Sequence, residues 1–421
     1  MKIKTKVLPF EQVAALPKPK RKRPKRPWFL FRVLIRVLGI PELWKTRFSH
    51  RVVRENTDKG PCLILMNHSA FIDLKIASRL FFPKPYNIVC TSDGFVGKEW
   101  LMRQIGCIPT QKFVTDLALV SDILYALHKN KTSVLMYPEA SYSFDGCATP
   151  LPRHLGKLIK KAGVPVVTVI TEGAFLHDPL YNGLRQRKVK VSAKVNCLLT
   201  LDEVAAKSAE EIDALLDDAF SFDNFAKQKQ TDTHITEPFR AKGLERVLYR
   251  CPACSAEGKT VGEGSLLTCR QCGKQYELTT LGEMKALAGG TEFSHIPDWY
   301  AWERECVKRE LTTGEYRLDV PVKIGVLADF KAIYMVGDGR LVHDENGFSL
   351  TGCDGKLCYT QPAGKSYGLY ADYFWYEIGD VICIGNKEQL YYCFPQGDVC
   401  VAKARLAAEE QYKLQKNDKS S

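Results

Sequence analysis

At 421 residues the chain has room for about two to three domains of roughly 150 residues each. Apolar residues make up 45% and charged residues 26%, a globular balance that excludes wholesale disorder, collagen-like repeats and a polytopic membrane protein. The net charge of +12 is local: residues 1–60 carry 17 Lys and Arg against 4 Asp and Glu, and the other 361 residues come to −1. A nucleic-acid-coating protein spreads its positive field over a face, so this confinement argues for a tether and against nucleic acid as a partner.

The arm itself, PKPKRKRPKRP at residues 17–27, reads as too charged and proline-rich to pack. Trp28 to Ile40 (WFLFRVLIRVLGI) then forms a helix ending before Pro41, about 20 Å long against a hydrocarbon layer of about 30 Å. It is too short to cross. Arg32 and Arg36 share one face, leaving Phe29, Leu30, Val33, Leu34, Val37 and Leu38 on the other. Residues 1–60 therefore read as a basic arm with an interfacial amphipathic helix bound to membrane lipids, or with an ordinary helix packed on the next domain.

Residues 61–200 alternate between strand and helix, with strands expected at Pro61–Met66, Tyr86–Thr91, Ser133–Tyr137, Val164–Ile170 and Val189–Cys197. Helices fall between them, at Asp73–Phe82, Lys98–Ile105, Asp116–Asn130 and Leu155–Ala162. This is an α/β domain, a mixed and mostly parallel sheet with flanking helices. Residues 201–244 form a helical extension, with 202–230 helical throughout. A cysteine module spans 245–280 and a Trp-rich helical linker 281–312. The short strands and Gly- and Asn/Asp-containing turns of 313–421, closed by a helix at Val399–Lys416, give a β-rich domain with the size and element order of a PH-like barrel. Tyr373, Phe374, Trp375 and Tyr376 in it form an aromatic run suited to a buried strand or to lipid contact.

Chemistry concentrates at Pro61–Asp73, PCLILMNHSAFID, where an apolar strand runs into His68 and a carboxylate follows five residues on. On a regular helix those two would sit about 140° apart. They meet if His68 belongs to the turn and Ser69 caps the next helix, letting Asp73 fix the imidazole tautomer and leaving the other nitrogen as a base. Further along stand Gly106-Cys-Ile-Pro-Thr-Gln-Lys112, Tyr137-Pro-Glu139-Ala140-Ser141-Tyr142-Ser143 and the strand Val164-Pro-Val-Val167.

In order and interval these four blocks resemble the His-x4-Asp glycerolipid acyltransferases, the lysophosphatidic acid acyltransferase-like family. The resemblance covers about residues 28–200. It implies that His68, oriented by Asp73, takes the proton of a lipid hydroxyl attacking the thioester of acyl-CoA or acyl-carrier protein. Backbone donors near Gly106 would hold the oxyanion. Lys112, Ala140 and Ser141 would bind substrate, and Glu139 would order the acceptor or brace the site. The implied acceptor is a lysophospholipid such as 1-acylglycerol-3-phosphate, and the implied location is the cytoplasmic face of a membrane, peripheral or monotopic. Two departures weaken the match to a phosphate monoester: Lys112 and Tyr142 stand where the family carries arginine. The rival class is a membrane-tethered scaffold that keeps the fold without turnover.

Fifteen cysteines, an odd number, with no secretory leader pattern, argue against a disulfide framework and for a reducing compartment. Cys251-x-x-Cys254 and Cys269-x-x-Cys272 are two knuckles separated by fourteen residues. That spacing predicts a zinc ribbon with a closed structural Zn2+ site. The remaining cysteines show no ligand spacing.

Overall fold

A computed structural model describes residues 2–114, 116–397 and 399–418, with only the backbone of residues 417 and 418. The α/β part is a seven-stranded sheet in the order Ser49–Arg54, Ser192–Leu199, Val166–Glu172, Leu63–Met66, Ser133–Met136, Tyr86–Thr91, Cys107–Thr110. Every pairing is parallel except that of Val166–Glu172 with Ser192–Leu199. Leu63–Met66 is central and buried on both faces. Leu63 and Leu65 join one apolar layer with Val134, Val166 and Ile159, while Ile64 and Met66 join the other with Leu135, Val167 and Ile76.

Several expectations need correction. The strand Ser49–Arg54 lies ahead of the boundary drawn at residue 61; all six residues are exposed, so no apolar run announces it. The N-terminal helix runs from Phe29 to Lys45 with Pro41 inside it. Proline removes the N–H that would bond the Val37 carbonyl, and packing against the Asp73–Phe81 helix offsets that loss. Gly39 faces Lys75, Leu43 is buried, and Glu42 pairs with Lys75. Leu30, Leu34, Val37 and Leu38 remain exposed, so the helix packs with one side and presents the other.

The basic arm also packs. Pro24 and Pro27 are buried, and Arg21 and Arg23 both reach Asp122, at 2.6 and 3.2 Å. Lys22 pairs with Glu99 at 2.8 Å, while Asn87 and Asn130 donate to the Lys25 and Pro24 carbonyls. An extended proline-rich segment has no internal backbone bonds to satisfy, so side-chain amides can strap it to the domain surface. Ahead of the strap, Thr5–Val7 pairs in parallel with Ile333–Met335 of the C-terminal sheet.

Residues 202–230 are not one helix. Leu201–Ala206, Ala209–Ala219 and Asn224–Gln230 are separate, the first two opened by capping boxes at Thr200/Glu203 and Ser208/Glu211 and the third by Asp223. A four-stranded antiparallel sheet follows: Thr260–Glu263, Leu266–Cys269, Gln275–Leu278 and Met284–Ala286. Its last strand lies inside the expected linker. The helix Ile296–Thr313 is part of the core, with Trp299 and Val307 fully buried.

The C-terminal part pairs a four-stranded meander (Leu318–Leu327, Ile333–Asp344, Gly347–Gly352, Leu357–Pro362) with a three-stranded one (Tyr370–Trp375, Gly379–Gly385, Leu390–Pro395). They join through Leu318–Leu327 and Leu390–Pro395, and the helix Val401–Asp418 follows. In the aromatic run Tyr373 and Trp375 are buried, and Phe374 is exposed under Arg246 at 3.9 Å. One apolar core spans residues from Phe144, Phe175 and Leu180 through Leu267 and Trp299 to Leu350 and Leu406, so the modules share an interior.

Candidate active site

In an open parallel sheet, ligands gather beyond the carboxyl ends of strands where neighbouring connections leave in different directions. Leu63–Met66 and Ser133–Met136 are adjacent and parallel, so the segments that follow them, 67–72 and 137–149, emerge side by side. His68 and the 137–142 block are neighbours for that reason.

His68 Nδ1 lies 3.0 Å from Asp73 Oδ2. The expected Ser69 cap is absent: the 73–81 helix has no side-chain cap, and its first residue reaches backward instead. Asp73 Oδ2 accepts the Ser69 and Ala70 N–H groups, at 3.0 and 3.1 Å, as well as the imidazole. The turn and the ring are thus fixed by one carboxylate oxygen, with Nδ1 the donor to it and Nε2 the unprotonated nitrogen of the neutral ring. Asn67 locks the other side of the turn, donating to Ser69 Oγ and accepting from the Thr171 N–H. Burial lowers the His68 pKa, with the Asp73 contact opposing it.

Glu139 is buried beneath this turn. Its Oε2 accepts the His68 N–H at 3.0 Å, and its Oε1 accepts the Thr149 N–H and hydroxyl at 2.9 and 3.2 Å. Burial pushes its carboxyl up to about 7. Both oxygens are engaged within the protein, so of its two expected roles the geometry fits the brace. Ala140 turns the chain in the left-handed region (φ 57°), and the buried Ser141 hydroxyl has no partner among the described residues.

Gly106 departs from expectation. It closes the Glu99–Ile105 helix with φ 92°, its N–H bonds the Arg103 carbonyl at 3.1 Å, and Pro27 sits where a side chain would project. Its amide is therefore occupied and offers no oxyanion donor; its smallness admits the strap. Lys112 points toward the C-terminal module, with Nζ 4.2 Å from the Tyr370 ring centre. Burial lowers its pKa while Asp372 and Asp93 raise it. Tyr370 in turn bonds Asp93 at 3.2 Å.

Sequence reading missed two aromatic partners. Tyr137 and Tyr142 stack on opposite faces of the His68 ring, each with centroids 4.1 Å apart and planes within 27°. His68 retains 21% side-chain exposure. Both tyrosines stood in the motif, but nothing in their spacing fixes a stack.

The four knuckle sulfurs lie within 4.8 Å of one another, with Cys251–Cys272 at 3.8 Å and Cys254–Cys269 at 3.7 Å. A tetrahedral zinc with bonds of about 2.3 Å separates its sulfurs by about 3.8 Å. These distances fit such an ion and are far beyond the roughly 2 Å of a disulfide.

Residues 48–172, under a third of the chain, match the family model described as Acyltransferase. Over 127 residues it is 24% identical to human 1-acyl-sn-glycerol-3-phosphate acyltransferase beta, an alignment covering 30% of this chain and 46% of that relative. The crystal structure of the 1-acyl-sn-glycerophosphate (LPA) acyltransferase PlsC from Thermotoga maritima aligns at 17% identity with a TM-score of 0.35. That alignment covers 45% of this chain and 76% of PlsC.

Proposed function

We propose that the protein is a membrane-associated O-acyltransferase that moves a fatty acyl group from acyl-CoA or acyl-carrier protein to the hydroxyl of a lysophospholipid, with 1-acylglycerol-3-phosphate the leading acceptor. The observation that carries this reading is the imidazole held by Asp73 at the carboxyl end of the central strand, inside the segment that matches the family. His68 Nε2 takes the hydroxyl proton as the oxygen attacks the thioester carbonyl, then returns it to the leaving thiolate. No acyl-enzyme forms. The buried, unpartnered Ser141 hydroxyl of the same block is a candidate donor to the oxyanion, and Asp73 keeps the ring in its working tautomer.

The exposed apolar side of Phe29–Lys45, with Trp44 at 83% exposure, and the exposed Phe71 beside the His68 turn support docking on a lipid surface. None of the described helices is long and apolar enough to cross a membrane. The cysteine module is proposed to hold one structural zinc, which would tie two knuckles of a four-stranded sheet too small for a core of its own.

The test is transfer of a labelled acyl chain from acyl-CoA to lysolipids carrying phosphate, choline, ethanolamine or glycerol head groups. Product with lysophosphatidate above the others supports the assignment, and preference for a zwitterionic acceptor moves the substrate class. One observation favours the scaffold instead: both faces of His68 are covered by tyrosine. It predicts no product with any acceptor.

A further inference from the structure

Tyr137 follows directly from the strand Ser133–Met136 and is placed by the sheet. Tyr142 sits further along a segment without regular secondary structure, which continues until the helix at Leu155 and is held beside Tyr142 by the Ser143 hydroxyl on the Cys147 carbonyl at 2.7 Å and by buried Phe144. A hydrogen bond to Tyr142 itself comes from the far end of the chain. Arg405, on the helix Val401–Asp418, donates from Nη1 to the Tyr142 main-chain carbonyl at 3.2 Å. Its guanidinium also lies 4.4 Å from the ring centre of Phe144, which stacks on Tyr373 at 4.5 Å.

The arginine is itself fixed from behind. Its side chain is 4% exposed, and Nε donates to Glu409 at 3.0 Å. Arg304 of the helix Ile296–Thr313 holds Glu409 at 2.7 Å and Glu410 at 2.9 Å. A planar guanidinium with one edge committed to a carboxylate has a fixed direction for its remaining donors. Here one of them meets Tyr142.

We propose that Arg405 is a positioning residue for chemistry at His68: by holding the Tyr142 carbonyl it keeps the Tyr142 ring over the imidazole, so the C-terminal helix controls the orientation and solvation of the base. The catalytic part of this inference rests on the acyl-transfer reading above; the positioning part does not. Several groups face the imidazole. Asp73 comes from the adjoining helix and Tyr137 and Tyr142 from the loop, Glu139 grips the His68 main chain, and Lys112, whose Nζ stands over the Tyr370 ring, acts on the imidazole through its charge. Burial is the largest influence on the ring and favours its neutral form. Releasing Tyr142 admits water to one face and moves the imidazole pKa upward.

The experiment uses the full chain with Arg405→Gln, Arg405→Lys, Tyr142→Ala and the Arg405→Gln/Tyr142→Ala double variant. The His68 ring is titrated by NMR without substrate, its signal identified by loss in His68→Asn. Acyl transfer from palmitoyl-CoA to lysophosphatidate is followed across pH in parallel. Arg405→Gln and Tyr142→Ala should each raise the midpoint of the His68 titration, and the double variant should raise it no further, because both act through one ring. Arg405→Lys, which keeps the charge beside Glu409 but loses the fork, should show the same upward direction and serves if the glutamine variant does not fold. Where transfer is observed, its acid limb should follow the ring, and kcat should fall toward about 10²-fold, the cost of a misplaced catalytic group. A purely structural Arg405 would lower the melting temperature and leave the titration in place, and either that result or additive shifts in the double variant overturns the proposal. If the wild-type chain transfers no acyl group, the acyl-transfer reading fails, and the titration still decides whether Arg405 positions the ring.

Discussion

At the scale of single residues the proposed chemistry rests on His68 and Asp73. A general base works only when neutral, and the imidazole pKa is lowered by burial, so the acid limb of kcat/KM should lie below the ordinary histidine value of about 6.5. A pH–rate profile checks this; a limb above that value would mean that the Asp73 contact outweighs burial. Asp73→Asn keeps the shape but permits the wrong tautomer, and should cost about 10²- to 10⁴-fold in kcat, the range of general acid–base catalysis, with little change in KM. The pairing of His68 with Asp73 was legible only through the resemblance of the four blocks, since the spacing alone left a chance pair open, and the way they meet was not legible. A capping serine was expected, whereas the turn closes on an aspartate that accepts its backbone N–H groups. Such a backward reach leaves no mark in residue spacing. Arg405 was less legible still, since 263 residues separate it from the carbonyl it holds.

Among the elements, the two cysteine knuckles offer a matched comparison. Each folds so that the residue four after its first cysteine donates to that cysteine's carbonyl: Ser255 to Cys251 at 2.8 Å, Gly273 to Cys269 at 2.9 Å. Both adopt positive φ, 61° and 77°. A side chain in that region costs about 1–2 kcal/mol, so Gly273→Ala should destabilise the module by about that much, although nothing crowds the position. Ser255→Gly should leave it unchanged or firmer. Thermal melts with and without a chelator read both effects, and a chelator that moves neither melt would argue against a structural ion.

The C-terminal helix has its own sensor of pH. His343 is buried between the Tyr316 hydroxyl, 2.9 Å from Nδ1, and Gln411 of that helix, 2.8 Å from Nε2, and its pKa is lowered to about 4 by burial. The folded state therefore binds fewer protons than the unfolded state between pH 6.5 and about 4. Stability from this group is complete above pH 6.5 and is lost as pH falls through that window, by up to about 3 kcal/mol. Denaturant melts between pH 7 and 4 should show the decline, with a smaller slope in His343→Gln. Element boundaries were less legible where two signals competed. The capping boxes at Thr200 and Ser208 stood in the sequence, but the continuous helix-forming composition of 202–230 masked them.

Across the whole molecule, the modules read separately from composition share one interior. Composition reports which segments can bury apolar surface and is silent on which surfaces meet. The sheet was readable because its central strands are short apolar runs. The exposed strand at 49–54, the strap at 17–27 and the contact of Thr5–Val7 with the C-terminal sheet were not, because polar side chains and backbone bonds make those contacts. Removing residues 2–27 should therefore reduce stability as well as any attraction to anionic vesicles. Asp122→Asn, which uncouples Arg21 and Arg23 from the domain, should loosen the strap while leaving the charge available to lipid. Protease susceptibility within 17–27, compared between the wild-type chain and that variant, checks the attachment.

The central claim is a proton taken by one imidazole during acyl transfer to a lipid hydroxyl. Its most direct test is the initial rate of lysophosphatidate acylation from labelled acyl-CoA on vesicles, with wild-type chain beside His68→Ala at matched folding. Acyl transfer by the wild-type chain and its loss in the variant is the predicted result. Equal rates from the two chains, or product from neither, would contradict it.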